Sequence, residues 1–215
     1  FNNAVISAYA APVHCIGLAK KQGSPRPGPL AVFLFGAGSL VAHLFRPNKA
    51  SMSIIIFSRP IHSGKTTELL HWCNRQHDIE GILMPDMNGS RKILNIKTKE
   101  IFDIECTDMV TNKELLTTIG RFRFYNAAFE KANAMLLELL IQKPGWLVID
   151  EAGKLELDKK GFYPAITKAV NIYTNDSKAG NLLITVRDSL CNETIAFFGL
   201  GNCMVIHRLE ELTNL

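Results

Sequence analysis

From residue 53 onward, apolar positions follow two alternating patterns, short continuous runs and helical spacing. The run "SIIIF" (53–57) is β-branched and unbroken, as expected of a parallel strand buried on both faces. "TTELLHWCNRQ" (66–76) then places Leu69, Leu70 and Cys73 at helical spacing, and "GILM" (81–84) reads as a second strand. "RKILNIKTKEIFDIE" (91–105) alternates and turns near 97–99, which predicts a β-hairpin excursion. The longest helix is predicted over 125–143. Ala128, Phe129, Ala132, Met135, Leu136, Leu139 and Leu140 share one face there, and Pro144 and Gly145 stop it. "WLVID" (146–150) is a further buried strand, 161–174 a helix and "NLLITVR" (181–187) a strand. "SLCNETIAFF" (189–198) and a short strand at 203–207 close the unit. Strand–helix alternation of this kind predicts an α/β fold, an open and mostly parallel sheet with helices on both faces.

The first 51 residues do not share the pattern. "KKQGSPRPGP" (20–29) is a basic Gly/Pro linker, and 30–45 is apolar apart from Ser39 and His43. That segment is shorter than the ~20 residues that span a bilayer. It reads as an extension without a function of its own, in preference to a signal-like segment, a membrane-surface segment or the tail of an upstream membrane protein. Any membrane contact is expected through 30–45 alone, with Met52 as a natural start for the strand–helix unit. Composition sharpens the division. Of 24 basic residues, Lys20, Lys21, Arg26, Arg46 and Lys49 lie in 1–51, which has no acidic residue; 19 remain against 20 acidic ones in 52–215. The net charge of +4 therefore comes from the extension, and no general nucleic-acid-binding face is expected. The five cysteines form no C-x-x-C and no cluster with histidine, which suits reduced thiols in the cytoplasm.

The chemistry is concentrated at two strand ends. "SRPIHSGKTT" (58–67) matches G-x-x-x-x-G-K-[ST] at Gly64, Lys65 and Thr66 and departs from it at Arg59. In a strand–turn–helix context, the backbone N–H groups of Ile61, His62, Ser63, Gly64, Lys65, Thr66 and Thr67 are expected to surround a phosphate at the helix N-terminus. Lys65 would reach the β- and γ-phosphates, and the Thr66 hydroxyl would bind Mg²⁺. Ser63 or Thr66 would also suit a plain helix cap. "WLVIDEAGKLEL" (146–157) weakens that plainer account, because four apolar residues end in Asp150 as in a Walker B strand. Asp150 is expected to hold Mg²⁺ and Glu151 to act on the attacking water as a general base.

Together "PIHSGKTT", "GILMP…NGSRK", "IGRFRFYNAAFEKA", "VIDEAGKLEL" and "GFYPAI" resemble one family over about 53–207. It is the small P-loop nucleoside-triphosphatase family typified by the thermophile nucleoside-triphosphatase and the cancer-related nucleoside-triphosphatase of animals. The resemblance implies a RecA-like α/β fold for 52–215 and slow, Mg²⁺-dependent hydrolysis of several nucleoside triphosphates. It also implies that Gly64, Lys65 and Thr66 bind phosphate and metal, that Asp150 helps hold the metal, and that Glu151 activates water. Arg59 stands where the family usually has glycine, and reads as a tolerated substitution facing solvent.

A cation beside the transferring phosphoryl group is expected in such sites. Arg187, just beyond the apolar core of the strand 181–187, is the first candidate, ahead of Arg121 and Arg123. Two rivals to hydrolysis remain: a phosphotransferase acting on a small acceptor, and a nucleotide-dependent switch with little turnover. The first usually needs an arginine-rich lid, and 150–180 contains no arginine. No motif for a particular base or protein partner is legible.

Overall fold

The computed structural model describes residues 54–107 and 112–214; the extension 1–51 and its apolar segment 30–45 lie outside the described residues. In chain order the elements are β1 (Ile54–Arg59), α1 (Lys65–Cys73), β2 (Ile79–Leu83), β3 (Asp86–Met87), β4 (Ser90–Asn95) and β5 (Ile101–Asp103). There follow β6 (Leu116–Ile119), β7 (Phe122–Tyr125), α2 (Asn126–Gln142), β8 (Trp146–Ala152), α3 (Lys154–Leu157) and α4 (Tyr163–Asn175). The last are β9 (Asn181–Arg187), α5 (Asp188–Phe198), β10 (Met204–Ile206) and a 3-10 turn at Leu209–Asn214.

The main sheet runs β10-β1-β9-β8-β2-β4-β3, with β5 beside β4. Its first five strands are parallel, and β4 joins β2 antiparallel. This is an α/β fold with a mostly parallel sheet, and β3–β5 form the hairpin excursion expected from the alternation in 91–105. Successive residues of β1 bury on opposite faces. Ile54 and Ile56 join the layer containing α2, α4 and α5, while Ile55 and Phe57 join Leu69 and Trp72 of α1 and Leu209 and Leu212 of the C-terminal turn. Helices therefore cover both faces, and the unbroken apolar spelling of β1 follows from having no solvated side. Leu69 is fully buried, so truncating it to Ala would cost about 2–5 kcal/mol.

The α2 face is as its spacing predicts: Ala128, Phe129, Ala132, Leu136 and Leu140 are buried, and Met135 and Leu139 pack partly against the same core. The helix ends at Lys143, in the left-handed region at φ 51°, just before Pro144. Trp72 and Trp146 meet edge to face at 5.0 Å within the core, as packing residues. The β6–β7 hairpin, the single-turn α3 and the edge strand β3 are additions to the elements expected from the pattern. No helix among the described residues is long and apolar enough to cross a membrane.

Candidate functional site

β1 lies between β9 and β10, and it ends at the carboxyl edge of the parallel sheet, where open α/β sheets place ligands. There the chain turns through Pro60–Ser63 into α1. His62 at φ 60° and Gly64 at φ 80° both adopt left-handed backbone to make the turn. At Gly64 a side chain would be strained by φ alone, and its surroundings are open. Ile61, His62, Ser63, Gly64, Lys65, Thr66 and Thr67 all line one cleft of about 380 Å³, together with Asp150, Glu151, Arg187 and the previously unsuspected Arg91.

The Lys65 side chain is half-buried in the cleft. It folds back onto the Arg59 and Pro60 carbonyl oxygens at 3.1 and 3.0 Å. Burial lowers its pKa, against the pull of the Glu151 and Asp150 carboxylates. Arg59 also departs from expectation. It pairs with the Glu68 carboxylate on α1 and donates to the Ser63 carbonyl oxygen at 2.9 Å. Its φ is not positive, so no glycine-like conformation is forced on it. Arg59 thus clasps the loop to the helix from behind, outside the cleft. The clasp extends to the C-terminal segment: the Leu209 N–H donates to Glu68, and His207 Nδ1 lies 2.7 Å from the Ser58 carbonyl oxygen.

Asp150 is buried at the end of β8. Its carboxylate accepts bonds from the Thr185 hydroxyl at 2.5 Å and the Met84 N–H at 3.0 Å, and the nearby Thr66 hydroxyl also favours its ionised form. Burial pushes its pKa up despite these donors. A buried carboxylate in contact with a hydroxyl is a hard-oxygen site that a cation would keep ionised, so Thr66 and Asp150 fit Mg²⁺. No cluster of three or more acidic, His or Cys side chains suited to a metal occurs among the described residues. Phosphate oxygens would therefore have to complete the coordination.

Glu151 sits on a β-bulge. Pairing with β9 is regular up to Ile149↔Ile184 and resumes at Ala152↔Val186, so Asp150 and Glu151 together oppose Thr185. Glu151 takes φ 69°, and its N–H donates to the Thr185 hydroxyl oxygen at 2.7 Å. Arg187 donates to one of its carboxylate oxygens at 3.0 Å, and Arg91 pairs with the other. Burial opposes its ionisation, but the two guanidinium groups prevail and hold its pKa below the usual value.

Of the sequence candidates, Arg187 reaches the cleft. Arg121 stacks on Phe122 and lines a neighbouring cavity, and Arg123 lines neither. Arg91 and Thr185 were missed. Arg91 offered no local signal, whereas Thr185 is the one hydroxyl in the apolar run 182–186. Glu156 of "DEAGKLE" is also buried. It accepts the Gly153 and Phe162 N–H groups at 2.7 and 2.8 Å, latching the segment after β8.

Among solved structures, the chain is similar to the crystal structure of THEP1 from the hyperthermophile Aquifex aeolicus. The TM-score is 0.57 at 18% identity, covering 75% of this chain and 93% of that one. The likeness shows the fold alone, α/β with a mostly parallel sheet. No protein-family model and no curated protein matches the chain.

Proposed function

We propose that the chain binds a Mg²⁺–nucleoside triphosphate in this cleft and hydrolyses it to diphosphate and phosphate. One observation carries the reading: Lys65, Thr66, Asp150 and Glu151, from two separate strand ends, line a single cleft. The buried Ser63 hydroxyl, without a hydrogen-bond partner among the described residues, adds a donor inside the loop.

In this mechanism Ile61–Thr67 hold the β-phosphate with backbone N–H groups at the start of α1. Lys65 exchanges the Arg59 and Pro60 carbonyls for phosphate oxygens. Thr66 and Asp150 would hold Mg²⁺, which would supply charge neutralisation at the phosphates. Arg187 and Arg91 turn from Glu151 toward the γ-phosphoryl oxygens, and the freed carboxylate takes a proton from the attacking water. The new bond joins the water oxygen to the γ-phosphorus; the bond to the bridging oxygen breaks, and the nucleoside diphosphate leaves. The four described cysteines are free thiols, which supports a reducing compartment such as the cytoplasm.

Phosphate release from ATP, GTP, CTP and UTP, measured with Mg²⁺ and with a chelator, tests the reading. Chelator-sensitive release is expected; tight nucleotide binding without turnover would favour the switch reading instead.

A further inference from the structure

A second cavity, of about 260 Å³, adjoins the nucleotide cleft. Met84, Arg91, Glu151 and Arg187 line both, so the two volumes meet at the Glu151 carboxylate and its two arginines. Deeper in, the walls are aromatic. Phe122, Phe124, Phe129 and Phe162 form a chain of ring contacts with successive centroids 6.3, 5.9 and 5.1 Å apart. The cavity reaches the surface at Gly120, Arg121 and Lys154, which are exposed, so it is not a closed packing void.

The charges of the lining are unequal. Arg91, Arg121, Lys154 and Arg187 face only two carboxylates, Glu151 and Glu156. Glu151 already binds two of the cations, and Glu156 is occupied by backbone N–H groups. Guanidinium groups lie over Phe122 from Arg91 at 5.2 Å and from Arg121 at 4.9 Å. Phenyl walls with excess cations suit a flat ring that carries an anion. The anion would lie at the junction, beside the position a γ-phosphoryl group takes over Lys65. The arginines absent from 150–180 are supplied here from 91, 121 and 187.

We propose that this aromatic cavity binds a second substrate, a small planar aromatic phosphate monoester of the nucleoside monophosphate class, which accepts the γ-phosphoryl group in place of water. The proposal rests on the triphosphate reading above. An oxygen of the monoester forms the new bond to the γ-phosphorus, and the bond from γ-phosphorus to the bridging oxygen breaks. The nucleoside diphosphate leaves with that electron pair, and the acceptor becomes a phosphoanhydride. Its attacking oxygen is largely ionised at neutral pH and brings no proton, so the reaction proceeds with Glu151 still held by its arginines.

The full chain is incubated with Mg²⁺, ATP and, in turn, phenyl phosphate, AMP, CMP, GMP, UMP and inorganic phosphate, and the products are followed by ³¹P NMR. A new phosphoanhydride is expected from at least one ring-bearing monoester and none from inorganic phosphate. Leu190→Trp, filling the cavity from α5, should lower transfer tenfold or more and leave hydrolysis of ATP alone within twofold. Ile119→Trp from the hairpin serves if the first variant does not fold. Hydrolysis without transfer to any monoester overturns the proposal, as does binding without transfer or transfer untouched by both variants. If ATP is neither bound nor cleaved, the hydrolase reading fails by itself. Saturation-transfer NMR with phenyl phosphate alone then decides the cavity, and absent binding overturns it.

Discussion

Asp150 and Glu151 are consecutive residues of one strand, and both side chains line the same cleft. In a regular strand they would point to opposite faces of the sheet. The bulge at Glu151 removes that alternation, and Thr185, opposite both, anchors the distortion by donating to one carboxylate and accepting the N–H of the other residue. The non-glycine φ of 69° is a conformational cost of roughly 1–3 kcal/mol located where the chemistry is proposed.

Thr185→Val is expected to keep the shape of the side chain and lose both bonds. The Glu151 N–H and one Asp150 oxygen would be left without their partner, which costs about 1–3 kcal/mol per buried group. Chemical denaturation should show that loss, and turnover should fall further than stability accounts for. Unchanged turnover would mean that the bulge holds without Thr185.

Lys65→Ala should abolish triphosphate hydrolysis while circular dichroism and the unfolding midpoint stay near wild type, because its ammonium bonds only to two loop carbonyls. Residual activity above a few per cent would remove the loop from the mechanism.

The two carboxylates should separate in function. Glu151→Gln is expected to keep nucleotide affinity within severalfold and slow turnover by about 10²–10⁴, the range for losing a general base. Asp150→Asn should weaken the Mg²⁺-dependent part of binding. Equal loss of binding in both variants would contradict this division.

Arg59→Gly is expected to weaken nucleotide binding severalfold. Glycine would release the Ser63 carbonyl and the Glu68 carboxylate together, and there is no backbone strain for it to relieve. Titration calorimetry with a non-hydrolysable triphosphate checks this; unchanged or tighter binding would restore the reading of Arg59 as a tolerated substitution.

Glu156 should make stability depend on pH. Burial pushes its carboxyl up to about 7, above the ordinary 4.5, so the folded state holds this proton more tightly than the unfolded chain. That contribution is complete below about 4.5 and is lost as pH rises through about 7, on the order of 3 kcal/mol in all. The thermal midpoint of wild type should fall between pH 5 and pH 8, and Glu156→Gln should flatten that slope. Parallel slopes would show that Glu156 does not titrate in this range.

The parts of this site that were legible in the sequence are those encoded by adjacent residues. Gly64, Lys65 and Thr66 are neighbours, and so are Asp150 and Glu151, each group preceded by a fully apolar strand. Arg91 was invisible because it meets Glu151 only through the hairpin excursion, 60 residues away in sequence, and it lies in an alternating stretch where a surface cation is ordinary. The β6–β7 hairpin was available but unread, since "LTTIGRFRFY" alternates about Gly120. Arg59 could be judged only as a missing glycine, because its partner Glu68 belongs to the next helix.

The placement of β1 between β9 and β10 fixes an order of events during synthesis. The loop 58–67 is translated well before both of its strand's neighbours, Thr185 and the 207–209 clasp. Until then β1 has two unpaired edges and exposes the apolar residues Ile54–Phe57, the condition in which nascent chains associate with one another or with chaperones. The proposed site is thus completed only after β9 and β10 have emerged, long after its loop residues are made.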